Sequence, residues 1–120
     1  MSGEPRPQRI PMRSKGYVND LTDCDRLRVW WAYQGGDITG LTVQLECKVD
    51  GAWIPAKRYD TSHGSELHVH TAPWDKAIDR KVPVPHGGLN HAMNQAITDL
   101  LDGYERYREV AEIGHRGAKQ

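Results

Sequence analysis

Five of the six histidines in this 120-residue chain fall between positions 63 and 91: His63, His68, His70, His86 and His91. The densest stretch runs Arg58-Tyr59-Asp60-Thr61-Ser62-His63-Gly64-Ser65-Glu66-Leu67-His68-Val69-His70. On a strand, His68 and His70 point to one face, about 6.6 Å apart along it. Two imidazoles at that spacing can share a phosphate or a metal ion. One chemistry is metal-free acid–base catalysis on a phosphodiester. His63, His68 and His70 then carry protons near neutral pH, Tyr59 or Asp60 orients one of them, and Arg58 holds the phosphate. A second is a metal site, with His68 and His70 joined by His63 or Asp60 around zinc or another divalent ion. The third use is plain: Leu67 and Val69 face the core, and the histidines form a solvated face.

Aromatic residues near this segment suggest a surface of another kind. By strand alternation Trp53 and Tyr59 share the polar phase with Gln44 and Lys57, as a base-stacking or partner surface would. Trp30, Trp31 and Trp74 read as core or sheet-face residues. Glu46 and Lys57 read as a surface ion pair, and Arg106, Arg108 and Glu105 as the solvated side of a helix. Cys24 and Cys47 are too few for a disulfide framework and fit no metal or redox spacing, so both are expected to be reduced.

The elements that must position these groups are legible from periodicity. Strands are expected at 27–33, 39–49, 52–59 and 67–71. Asp50-Gly51 is a strong hairpin signal, because a type I′ turn needs positive φ at both central residues. A two-residue loop there pairs Val49 with Ala52, Cys47 with Ile54, Leu45 with Ala56 and Val43 with Arg58. The last pair puts an arginine on the core-facing phase. A loop at 34–38 pairs Trp31 with Leu41, Val29 with Val43 and Leu27 with Leu45. A helix is expected over about 89–112, with its apolar stripe from Leu89 to Ala111. Asn90 or Gly87-Gly88 is its expected cap and Gly114 its stop. The expected architecture is α+β: a meander of about four antiparallel strands with one long C-terminal helix on one face. Residues 1–16 are expected as a flexible arm, 17–112 as a single domain and 113–120 as a flexible tail.

Sixteen Lys+Arg balance sixteen Asp+Glu, which argues against coating nucleic acid through bulk charge. No apolar run suits a membrane span or a secretory signal, so a cytoplasmic protein is expected.

The element Arg58-Tyr59-Asp60-x-x-His63-Gly64, followed by His68-x-His70 and a C-terminal helix, resembles the motif region of small bacterial TumE-type toxins. It is also similar to small proteins of actinobacteria and their phages. The resemblance covers residues 55–72. It implies a ribonuclease-like toxin with RNA as substrate and an antitoxin protein as partner. The functional expectation is therefore a protein that binds or cleaves nucleic acid without a cofactor. Its catalytic residues would be His63, His68, His70 and Asp60, with substrate bound by Arg58, Tyr59 and Trp53. Two alternatives stand beside it: a non-catalytic module binding a host or phage protein, and a His-rich divalent-metal binder. The oligomeric state is open.

Overall fold

The computed structural model describes residues 10–61 and 66–118. His63, the first nine residues of the expected arm and the last two of the tail lie outside the described residues. Six strands form one antiparallel meander: β1 (Arg13–Thr22), β2 (Asp25–Gln34), β3 (Asp37–Val49), β4 (Ala52–Thr61), β5 (Leu67–His70) and β6 (Lys81–Pro83). A single helix, α1 (Leu89–Ala118), crosses one face. The α+β class with one long C-terminal helix is as expected. The strand count is six rather than about four.

The two additional strands sit at the two sheet edges. β1 pairs with β2 from Arg13↔Tyr33 to Thr22↔Asp25, so residues 13–16 of the expected arm are sheet. Its side chains are exposed almost throughout, so it carries no apolar alternation by which a strand would be recognised. β6 is three residues, Lys-Val-Pro, too short for any period.

Core-facing residues alternate along the inner strands, as a one-sided sheet requires. Leu27 and Val29 of β2, Leu41, Val43, Leu45, Cys47 and Val49 of β3, and Ile54 and Ala56 of β4 are buried against Leu89, Ala92, Ala96, Leu100 and Ala111 of α1. Burial pushes the Cys47 thiol up to about 11, so it packs as a small hydrophobe; Cys24 is exposed and also free.

Two local devices set the registers. Asp50 and Gly51 both have positive φ, 51° and 82°, and the hairpin pairs Val49↔Ala52 and Cys47↔Ile54 as expected. In the first hairpin Trp31↔Leu41, Val29↔Val43 and Leu27↔Leu45 also pair as expected. Its loop is tighter than expected, with Gln34↔Asp37 closing a turn over Gly35-Gly36 and a register shift next to it.

The helix runs through Gly114 to Ala118, beyond the expected stop and into the expected tail. A Cβ at Gly114 would lie 2.6 Å from the Trp74 ring, so this glycine makes room for packing rather than ending the helix. Asn90 does not cap the helix. Its side chain accepts from the Ile38 amide at 3.0 Å and donates to the Gly36 carbonyl at 3.1 Å, fastening the β2–β3 turn to the start of α1.

Candidate functional site

The site begins with a bulge. After Cys47↔Ile54 and Glu46↔Pro55 the register shifts, and Leu45 pairs with Lys57, Gln44 with Arg58, Val43 with Tyr59 and Thr42 with Asp60. Ala56 is the extra residue. The expected Val43–Arg58 pair does not form, and Arg58 sits on the sheet face away from the helix. The buried-arginine problem disappears with it. The same shift separates Trp53 from Tyr59. Trp53 stays on the open face beside Lys48, while Tyr59 turns to the helix side.

On the open face the polar side chains of four neighbouring strands join in one continuous chain. Arg26 lies over the Trp53 ring, its guanidinium carbon 4.0 Å from the centroid. Arg26 Nε donates to Glu46 Oε1, and Arg28 Nε donates to Glu46 Oε2 at 3.1 Å. Gln44 Nε2 donates to the same Oε2 at 2.6 Å, while Gln44 Oε1 accepts from Arg58 Nη1 at 3.1 Å. Arg58 Nε donates to Asp60 Oδ2 at 3.2 Å. Asp60 Oδ1 lies 3.3 Å from His70 Nε2, and His70 Nδ1 lies 2.6 Å from Asp79 Oδ2. Asp79 Oδ1 accepts from the Ala72 amide at 3.0 Å.

This network sets the charge of its carboxylates. Burial works to raise the Glu46 carboxyl, but hydrogen bonds from Arg26, Arg28 and Gln44 outweigh it and hold the group below the ordinary range. Asp79 behaves alike: burial works against the charge, and hydrogen bonds from His70 and the Ala72 amide prevail. The ion pair expected between Glu46 and Lys57 is absent, because the two lie on opposite faces.

The structure brings Arg58, Asp60 and His70 together and places Trp53 and Tyr59 elsewhere, while His63 lies outside the described residues. His70 and Arg58 bond the two oxygens of one carboxylate. Both His70 ring nitrogens face carboxylates, Nδ1 toward Asp79 and Nε2 toward Asp60, and which of them donates depends on the tautomer. The ring is held between two carboxylates rather than aimed into open space. His68 is the cross-strand neighbour of Asp60, but its side chain lies against a different cleft, lined by Glu66, Leu67, Pro83, Val84, Pro85 and His86. Its Nε2 is 4.0 Å from a Glu66 oxygen. Among the described residues no three His, Cys, Asp or Glu side chains group so as to hold a metal ion.

Tyr59 belongs to a second polar cluster, at the rim of the helix–sheet interface. Its hydroxyl donates to Asp99 Oδ2 at 2.7 Å, beside Lys57 Nζ at 3.0 Å, and the Tyr107 hydroxyl donates to Asp99 Oδ1. Burial, then the hydrogen bond and charge of Asp99, push the Tyr59 phenol above its ordinary value. Asp99 is depressed: burial opposes the charge, and donors from Tyr107, Tyr59 and Lys57 outweigh it. Arg108, expected on the solvated side of the helix, instead pairs with Asp25 Oδ2, a fully buried carboxylate that also accepts from the Thr22 hydroxyl.

Sequence reasoning missed Arg26, Arg28, Glu46 and Asp79 as members of one network. The signal for the first three was present: cations at alternate positions of β2 on the polar phase, facing an acid on β3. Asp79 lies in the irregular stretch between β5 and β6, where no period exists to place it.

Among the described residues no helix is long and apolar enough to cross a membrane. No curated protein and no solved structure matches the chain. Residues 12–116, from just before β1 to near the end of α1, match the family described as a domain of unknown function (DUF7718). The chain belongs to that family.

Proposed function

We propose that this protein is a nucleic-acid-binding module that takes a single strand across the open face of its sheet, without cleaving it through histidine. The observation that carries the reading is a sheet face that no element covers among the described residues and that holds both tryptophan and arginine. Arg26 stacks on Trp53, and next to it stand Arg28, its side chain 48% exposed, and Trp30, 43% exposed. By register this face carries Arg26, Arg28, Lys48, Arg58 and Lys81 against Asp20, Glu46 and Asp60. Cations that follow a backbone, with aromatic planes for bases, are what sequence-tolerant binding of single strands requires. The neutral net charge of the chain fits such a local surface better than wholesale coating of a duplex. Glu46, Gln44 and Asp60 hold the guanidinium groups in place before any ligand arrives, which lowers the entropy lost on binding.

Fluorescence anisotropy with single-stranded RNA and DNA oligonucleotides tests this. Binding should weaken steeply between about 50 and 200 mM salt. Trp30→Ala should lower affinity by roughly 5- to 100-fold, the value of one base–aromatic stack. Arg28→Ala should reduce the salt slope by about one. No binding at low salt would remove the reading, leaving the open face as a surface for a protein.

A further inference from the structure

We infer that the bound nucleic-acid strand passes over the β1 edge and continues on the other face of the sheet, along Arg13, Lys15, Tyr17, Trp31 and Tyr33. The inference rests on the proposed function and extends its site. α1 packs on β2, β3 and β4 and does not reach β1, so the helix side of β1 stands beside the helix as an open shelf. Pairing with Val29, Trp31 and Tyr33 puts Tyr17, Lys15 and Arg13 on that side, and all three are exposed.

The shelf combines aromatic planes with cations that no carboxylate holds. Tyr17 is 44% exposed, and its ring meets Trp31 edge-on with the centroids 6.2 Å apart. Lys15 Nζ lies 5.6 Å from the centre of the Tyr33 ring. A cleft of about 310 Å³ separates Lys15, Trp31 and Tyr33 from Asn90 at the start of α1, and no carboxylate lines it. Among the described residues neither Arg13 nor Lys15 makes an ion pair. On the open face Arg26, Arg28 and Arg58 are each already paired with Glu46 or Asp60. A phosphate therefore meets uncompensated charge on the shelf, with Trp31 and Tyr33 about 6.6 Å apart along β2 as planes for bases.

The crossing point is Gly16. It stands opposite Trp30 and puts no side chain on the open face of β1. A Cβ there would lie 2.9 Å from the Val29 carbonyl oxygen, so the place stays bare. The cleft around it, about 390 Å³, is walled by Val18, Arg28 and Trp30 of the open face and by Tyr17, whose ring stands on the other. β1 is an edge with no strand outside it among the described residues, which leaves the way round it open. A nucleic-acid strand stacked on Trp30 thus has a path over Gly16 to Lys15 and Trp31.

Fluorescence anisotropy of the full chain with single-stranded oligouridylates of about 4 to 16 nucleotides tests the path. Wild-type affinity should climb with length, gaining roughly 5- to 100-fold from the shortest probe to the longest, the value of one further stack. Tyr17→Ala should remove most of that gain, and Lys15→Ala should lower the salt slope for the longest probe by about one. Trp30→Ala should weaken the longest probe as well, since one ligand touches both faces. A length gain untouched by Tyr17→Ala and Lys15→Ala overturns the crossing while the open-face reading stands. Shelf variants that weaken binding when Trp30→Ala does not also overturn it, because the ligand then keeps to the shelf. Absence of binding to every probe removes both. Should Tyr17→Ala fail to fold, as its urea midpoint would show, Arg13→Ala takes its place with the same reduction of the length gain expected.

Discussion

The two faces of this sheet are built from alternate residues of the same strands, yet different forces hold them. The helix-covered face is an apolar layer from Leu27 to Ala111, and its carboxylates, Asp25 and Asp99, take donors from both the sheet and α1. Among the described residues the open face has no covering layer. There Arg26, Glu46, Gln44, Arg58, Asp60 and His70 satisfy one another side chain to side chain. Burial of apolar area is worth about 25 cal/mol per Å², whereas exposed ion pairs are worth about 0–1 kcal/mol each. Stability therefore resides on one face, and chemistry for a ligand is free to reside on the other.

Substitutions can break that division or sharpen it. The largest loss is expected from Leu45→Ala or Leu100→Ala, both fully buried, at about 2–5 kcal/mol by urea denaturation. Asp25→Ala comes next, at about 1–3 kcal/mol, because it strips Arg108 and the Thr22 hydroxyl of their shared partner. Arg28→Ala on the open face should stay within about 0.5 kcal/mol, although on the proposed function it is expected to weaken oligonucleotide binding. A loss at Arg28 rivalling that at Leu45 would mean the open face also carries the fold.

The smallest effect is one of pH. The folded Asp99 carboxyl is depressed below its unfolded value near 3.8. Its contribution is therefore fully present above that value and is lost as pH falls through the lower, folded one. Stability measured between about pH 4 and pH 2 should fall with a slope that Asp99→Asn makes shallower, while Glu46 and Asp79, depressed in the same direction, keep part of it.

Much of the covered face was legible in the sequence. The pairs Cys47↔Ile54 and Val29↔Val43 follow from turn chemistry and apolar alternation alone. The candidate site was legible only in part. His70, Asp60 and Arg58 converge, but Tyr59 turns to the other face, because a one-residue bulge at Ala56 leaves no mark in the hydrophobic pattern. The anomaly it caused, an arginine on the core phase, was the one trace of it. β1 was unreadable for a different reason: period-2 patterning records burial, and this strand buries neither side. Gly114 misled because a glycine needed for a neighbouring ring looks the same in sequence as one that ends a helix.

The bulge at Ala56 also gives β4 an arithmetic of its own. Which side of the sheet a residue beyond it occupies depends on whether its distance from the Asp50-Gly51 turn is odd or even, with one added for the bulge. Removing Ala56 itself would straighten the strand and leave Lys57↔Leu45, Gln44↔Arg58 and Thr42↔Asp60 as they are. Adding one residue between Lys57 and Asp60 would send Asp60 and everything after it in the strand to the wrong side. The hairpin thus holds an added residue at one position and tolerates none a few positions later, so a one-residue change in β4 keeps or inverts the faces beyond it according to where it falls.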